Sequence, residues 1–337
     1  MLKLPVLLFA MLLPLSVLRA ADTLDLYAID TEGGKAVMVV SPGGGTMLID
    51  AGYPTKDDRD TNRIVAMAGS LGIDHFDYIV ASHYDADHVG NIPRLDARIP
   101  GRIFVDHGEP LPTDNAQDQR NFYEPYRKAI GTRQRLIVKP GDTIPLPGVQ
   151  ITVVTAGGEA LAKALPGAGQ PNEFASGAKP EPIDVYDNAG SVGLLFEFGK
   201  FRLLDLADLL QRVEYKLMVP VNRVGPVDLF MVSHHGYKYS NSRLLVHALH
   251  PRVAIMNNGP HKGGDPEVFD ILKSSPGMQD LWQLHASPAA GAKNAPADFI
   301  ANPEEACAAK AIKVSAQRDG TFTVTNLRNG FAKTYRP

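Results

Sequence analysis

Within six residues, His83-Tyr84-Asp85-Ala86-Asp87-His88, the chain sets two imidazoles and two further carboxylates directly after the apolar run Tyr78-Ile79-Val80-Ala81. A strand end holds its first side chain rigidly, and the turn after it curls the next ones toward the same point. Hard carboxylate oxygens mixed with borderline imidazole nitrogens suit Zn, with Mn or Fe as alternatives. Such ions lower the pKa of a bound water from 15.7 to roughly 7, which makes a hydroxide nucleophile without any protein nucleophile. Nothing in the chain resembles a nucleophile elbow. Its single cysteine, Cys307, lies far from every motif, so clustered thiolates cannot hold the metal.

Three further apolar runs end in the same manner. Met47-Leu48-Ile49 leads into Asp50-Ala51-Gly52. Leu203-Leu204-Asp205-Leu206-Ala207 leads into Asp208. Phe230-Met231-Val232-Ser233 leads into His234-His235-Gly236. Each alone would pass for an ordinary turn. Together, four strands deliver Asp or His to one edge of the sheets, which is how open α/β folds assemble sites.

Ser82-His83-Tyr84-Asp85-Ala86-Asp87-His88 resembles the Ser-His-x-Asp-x-Asp-His motif of the metallo-β-lactamase superfamily. The nearest likeness is to the branch containing the hydrolase domain of the DNA-uptake (competence) channel protein of bacteria. His234-His235-Gly236, Asp50-Ala51-Gly52 and Asp208 match further elements in the same order, over about residues 24–275. The resemblance implies that His83 and Asp85 bind a first metal, and that Asp87 and His88 bind a second. It implies that Asp208 bridges both, that His234 completes the second site, and that His235 is the less favoured candidate beside it. Asp87 and Asp208 are then the catalytic carboxylates. Asp50 would orient a ligand, with Asn188 and His235 as further supports. Two features depart from the common pattern. Most members carry His where this chain has Asp85, although the DNA-uptake branch uses Asp. Most also carry a His before the strand leading to the bridging Asp, where this chain reads Asp187-Asn188-Ala189-Gly190-Ser191. Asn188 or Asp187 would serve there instead.

Among the other histidines, His107 follows a strand and His261 sits in a Gly-rich loop, so both are candidate substrate contacts. His75, His247, His250 and His285 read as structural.

These residues need a scaffold. Strands are expected at Thr23–Ile29, Ala36–Ser41 and Thr46–Ile49, then a helix at Asp60–Leu71 and a buried strand at Phe76–Ala81. A helical turn should begin near His88 and stop around Pro93, before a strand at Arg102–Val105. Residues 107–135 read as a helical insertion. It carries Phe122, Tyr123, Tyr126 and the basic residues Arg127, Lys128, Arg133 and Arg135, and is either a solvated helix or a pocket wall. Strands Leu136–Lys139 and Val149–Thr155 precede a long Gly- and Pro-rich loop over 156–190. A hairpin follows at Ser191–Phe198 and Phe201–Leu206. Then come strand Val227–Val232, helix Ser242–Leu249, strand Arg252–Met256 and helix Asp265–Lys273. A three-strand meander spans Ile312–Tyr335, turning at Asp319-Gly320 and Asn329-Gly330.

Two αβ halves of this kind suit a four-layer αββα sandwich or a three-layer α/β fold. The resemblance selects the first, an α/β (α+β) sandwich of the metallo-β-lactamase type with a C-terminal antiparallel β-meander. Residues 22–275 would form that domain, and 276–337 a C-terminal extension packed on it.

Residues 1–21 read as a signal peptide: a Lys3 start, an apolar run from Leu4 to Leu18, and small residues at Ala20-Ala21. That run is shorter than the roughly 20 residues a membrane span needs. The mature protein is therefore expected in the periplasm or secreted, with no membrane attachment after cleavage. Losing Lys3 and Arg19 takes the formal charge from −3 to −5. That balance disfavours a stable nucleic-acid partner, since gripping long polyanions usually needs a basic surplus. The expected activity is metal-dependent hydrolysis by a metal-bound hydroxide, on a small phosphodiester or nucleotide-like molecule. The alternatives are an amide or ester hydrolase acting on a β-lactam or lactone, and a non-catalytic metal-binding module on the same fold.

Overall fold

The computed structural model describes residues 22–112, 116–177, 187–304, 306 and 309–337. Residues 1–21, expected as a leader, and Cys307 lie outside them, as does part of the 156–190 loop.

The first half runs β1 (Leu24–Ala28), β2 (Val37–Val40), β3 (Thr46–Ile49), α1 (Arg59–Ser70), β4 (Phe76–Val80), α2 (Ile92–Asp96), β5 (Gly101–Asp106), α3 (Ala116–Ile130) and β6 (Gln134–Ile137). The second runs β7 (Gln150–Ala156), β8 (Glu159–Ala160), β9 (Gly193–Phe198), β10 (Phe201–Asp205), α4 (Gln211–Met218), β11 (Leu229–Val232), α5 (Arg243–Leu249), β12 (Val253–Met256), α6 (Pro266–Lys273), β13 (Asp280–His285) and β14 (Ile300–Asn302). The meander β15 (Ile312–Ala316), β16 (Phe322–Asn326) and β17 (Ala332–Tyr335) closes the chain.

Among the described residues the strands form two sheets. One has the order β17-β16-β15-β1-β2-β3-β4-β5-β6, the other β14-β13-β12-β11-β10-β9-β7-β8. Each is antiparallel at one end and parallel at the other: β3 to β6 run parallel in the first, β10 to β14 in the second. The meander joins the first sheet by pairing β15 with β1, Leu26 opposite Val314.

Strand alternation explains the four layers. Met47, Leu203, Met231 and Ile255 point into the core between the sheets. Their neighbours Leu204, Phe230 and Ala254 face α4, α5 and α6 on one outer side. Leu48 and Ile79 face α1, α2 and α3 on the other. Both faces are covered, so these strands read as continuous apolar runs. The expected αββα sandwich is the observed fold.

Several local expectations change. The helix near His88 begins at Ile92, and Pro93 lies in its first turn rather than ending it. Proline's fixed φ and missing N–H suit a first turn, so it starts this helix. Helix α4 was not legible, being only about two turns long. Strands β13 and β14 also escaped notice, because β13 buries Gln283 and His285 among its apolar residues.

A buried ion pair crosses the sandwich. Lys35, in the turn between β1 and β2, is 5% exposed and places Nζ on Asp205 at the end of β10. Asp205 Oδ1 also accepts the Ala207 N–H at 3.0 Å. Removing one partner leaves an uncompensated buried charge, so Lys35→Met is expected to cost about 3 kcal/mol of stability. Urea unfolding should show the single variant well below Lys35→Met/Asp205→Leu. Equal losses in the two would mean that the pair is not the cause.

Candidate metal centre

The four strand ends meet at one edge of the sandwich. β3 ends at Asp50, which has a left-handed backbone, φ 60°, and donates its N–H to Val80 O at 2.9 Å. Its carboxylate then faces the β4 end. Oδ1 accepts the Ser82 N–H at 2.9 Å, and Oδ2 lies 2.7 Å from Ser82 Oγ and 2.8 Å from His88 Nδ1. Asp50 therefore fixes the His88 tautomer and turns Nε2 the other way, the usual carboxylate–histidine support of a metal ligand.

His235 is oriented by the backbone. Its Nδ1 donates to Asn257 O at 2.9 Å, beyond the end of β12. Its Nε2 lies 3.0 Å from Asp87 Oδ2, 3.2 Å from Asp208 Oδ2 and 3.3 Å from His88 Nε2. His88 Nε2 in turn lies 3.3 Å from Asp87 Oδ2 and 3.2 Å from Asp208 Oδ2. One ligand atom from each of these four buried residues falls within 4.8 Å of the others. Two nitrogens and two carboxylate oxygens are a donor set that suits a tetrahedral zinc.

A second group adjoins this cage. His83 is buried, with Nδ1 3.1 Å from Ser82 Oγ. Its Nε2 has no hydrogen-bond partner and lies 3.7 Å from Asp85 Oδ2. An orphaned buried nitrogen costs free energy unless something binds it, and a cation shared with Asp85 would do so. His234 Nε2 stands 3.7 Å from Asp208 Oδ2, on the rim of the cage.

The motif reading put His234 in the second set, with His235 beside it. The geometry reverses that order: His235 lies in the tight cluster and His234 does not. The reason is the backbone of the turn after β11, where His234 and His235 take φ of 51° and 53°. Two left-handed residues in succession swing adjacent rings to different sides, and no sequence pattern says which goes where. Gly236, at φ 86°, continues the turn; a Cβ there would come 2.8 Å from Met256 Sδ. Left-handed non-glycine residues are costly and cluster where function requires them.

In the stretch Asp187–Ser191, Asp187 clamps neighbouring segments. Asp187 Oδ2 accepts the Tyr84 N–H at 3.1 Å and lies 2.8 Å from His107 Nε2, while Oδ1 accepts the Leu111 N–H at 2.8 Å. Oδ2 thus holds the His83–Asp85 turn, and Oδ1 ties the segment after β5 to the same residue. His107 is part of that clamp, packed 4.7 Å from the Tyr84 ring, rather than a substrate contact. Asn188 is buried, and its Oδ1 has no hydrogen-bond partner. His261 is exposed at the mouth of a separate cavity with His285 and Asn302. His75, His247, His250 and His285 all lie outside the four-residue cage.

The 107–135 insertion acts from behind. Tyr84 Oη donates to Gly108 O at 2.6 Å, and its ring meets Tyr123 at 4.7 Å. Of the expected basic cluster, Arg135 pairs with Asp106 at 2.7 Å and Arg133 with Asp96 at 2.6 Å. Those two charges brace the insertion.

One residue of the site was missed in the sequence. Lys262, next to the His261 that drew attention, places Nζ on Asp87 and 3.0 Å from Tyr53 Oη. A lone lysine in a Gly-rich loop carries no signal of its own.

The charges are tightly coupled. Burial alone would raise the Asp87 carboxyl, but Lys262 and His88 hold it well below the usual range. Burial opposes charge on His88, but Asp208, Asp87 and Asp50 more than restore it and raise its pKa well above the ordinary value. Burial pushes His234 down to about 4. A cation in the cage competes with imidazole protons, so metal uptake releases protons and strengthens as pH rises.

Residues 30–172 match the Metallo-beta-lactamase superfamily. That span contains Asp50 and the His83–His88 motif; the fold brings Asp208 and His235 to the same edge. Solved structures of similar shape include a metallo-beta-lactamase of Cronobacter sakazakii with a HARLDQ motif, 18% identical at a TM-score of 0.36, covering 61% of this chain and 73% of that one. A diphosphatase from the PhnP family is 16% identical at 0.39, covering 77% and 94%. CmlA, a diiron beta-hydroxylase from Streptomyces venezuelae, is 15% identical at 0.39, covering 70% and 44%. Likeness at this level carries no argument about substrate. No curated protein gives a significant match.

Proposed function

We propose that this metallo-β-lactamase-fold chain is a metal-dependent hydrolase acting on a small phosphodiester or nucleotide-like substrate. The observation that carries the reading is the cage of Asp87, His88, Asp208 and His235, with the partnerless His83 Nε2 beside it. We assign one ion, zinc by the donor set, to that cage, and a second to His83 and Asp85, with Asp208 between them. The chemistry a divalent cation supplies there is Lewis-acid polarisation and a water ionised near neutral pH. The chain's own residues set the stage for it. Asp50 and Asn257 O fix the two imidazoles, and Asp187 holds the His83–Asp85 turn.

The substrate class follows from charge. Carboxylate-rich ligation weakens the electrophilicity of the metals, which penalises a neutral carbonyl more than a phosphodiester whose charged oxygens are drawn to them. The formal charge of −5 after leader removal argues for a small molecule over long DNA, despite the resemblance to the DNA-uptake branch. The leader-like residues 1–21 support a periplasmic or secreted location for the enzyme.

The test is kcat/KM on a chromogenic phosphodiester, a chromogenic cephalosporin and a lactone, with one zinc-loaded preparation. The phosphodiester is expected to be the best of the three by about 10-fold or more, some 1.4 kcal/mol of transition-state stabilisation. If it is the poorest, a carbonyl hydrolase replaces this reading. If zinc binds and nothing turns over, the chain is a metal-binding module.

A further inference from the structure

Lys262 lies in the loop between β12 and α6 and has little room to withdraw from the site. Its carbonyl accepts the Gly259 N–H at 2.9 Å. The turn between β1 and β2 packs against its stem so closely that a Cβ on Gly33, at φ 99°, would come 2.8 Å from Lys262 Cβ. Tyr53, just past Asp50, completes the arrangement. Its N–H donates to Asp60 Oδ2 at 2.8 Å, and its ring centre lies 5.3 Å from Lys262 Nζ. The lysine side chain remains 25% exposed, and its ammonium touches Asp87 and the Tyr53 hydroxyl.

Counting charge shows why this matters. Two divalent cations would balance the four carboxylates at the site, Asp50, Asp85, Asp87 and Asp208. The ammonium of Lys262 is then surplus positive charge, fixed beside the metal cage on a side chain that is 25% exposed. A partly desolvated cation whose partner carboxylate also serves a metal favours an incoming anion. A phenol hydroxyl within hydrogen-bond reach adds a neutral donor to the same spot.

We propose that Lys262 and Tyr53 form the subsite that receives an anionic oxygen of the substrate next to the scissile bond. This rests on the hydrolase reading above and narrows it: the substrate is an anion, by preference a phosphodiester, and neutral esters and lactones are poor substrates. A carboxylate beside the scissile bond, as in a cephalosporin, offers the same chemistry, and the assay separates the two.

The experiment uses the full mature chain, zinc-loaded, as wild type, Lys262→Met, Lys262→Arg and Tyr53→Phe. Zinc per chain is measured by elemental analysis and the Kd for inorganic phosphate by calorimetry. The kcat/KM values for a chromogenic phosphodiester, a cephalosporin and a neutral ester follow. Lys262→Met is expected to keep its zinc and bind phosphate about 10-fold more weakly, the scale of one charge-assisted hydrogen bond. The ratio of phosphodiester to neutral-ester kcat/KM should fall by a similar factor and recover in Lys262→Arg. A fall in the cephalosporin ratio alone assigns the subsite to carboxylates. Unchanged phosphate affinity in Lys262→Met overturns the proposal, as does wild type that binds no phosphate. Loss of zinc without recovery in Lys262→Arg also overturns it, because Lys262 would then merely hold Asp87. Wild type that loses phosphate affinity with Lys262→Met yet hydrolyses nothing retains the anion subsite and removes the hydrolase reading.

Discussion

Asp87→Ala is expected to come off purification with its cage metal lost and turnover lower by about 10⁴-fold, near 5.5 kcal/mol of transition-state stabilisation. Asp87 joins two imidazoles and an ammonium of the site. Its Oδ2 lies 3.0 Å from His235 Nε2 and 3.3 Å from His88 Nε2, and Lys262 rests on the same oxygen. Removing it deletes a ligand and leaves two imidazoles and an ammonium facing one another without their counter-charge. Asp87→Asn keeps the shape and removes the charge, so it should lose metal as well. Circular dichroism on both variants separates loss of the site from loss of the fold. An active, fully zinc-loaded Asp87→Ala protein would sink the assignment.

His235→Ala and His234→Ala should differ sharply, although the residues are adjacent. His235 Nε2 approaches Asp87, Asp208 and His88 within 3.3 Å, and its Nδ1 is anchored on Asn257 O. His234 reaches only Asp208, at 3.7 Å, with Nδ1 3.2 Å from Ser240 Oγ. Losing His235 should empty the Asp87–His88–Asp208 cage and reduce kcat/KM by about 10³-fold, near 4 kcal/mol. Losing His234 should leave that metal in place, with a loss at least ten times smaller. Zinc stoichiometry and kcat/KM on the same preparations decide the matter. The opposite ranking would return His234 to the cage and mean that the turn after β11 is set differently.

The parts of this protein that its sequence determined are those governed by local periodicity. Apolar runs such as Met47–Ile49 and Phe230–Val232 announce strands covered on both faces. The spacing within His83–His88 announces a metal motif, because a strand end and one turn suffice to converge those side chains. Asp50 and Asp208 could be placed for the same reason, as Asp50 directly follows β3 and Asp208 lies three residues past β10. The tertiary structure alone decided what depends on backbone handedness and on packing between distant segments. Sequence order says nothing about which of two neighbouring histidines a left-handed turn aims inward. His107 and Asp187, 80 positions apart, meet only because the sheets stack and bring the β5 end against the segment before β9. Lys35 and Asp205 pair across the sandwich over 170 positions, and Lys262 reaches Asp87 over 175. Such contacts follow from where whole layers come to rest, and an isolated lysine or aspartate has no periodicity to announce them.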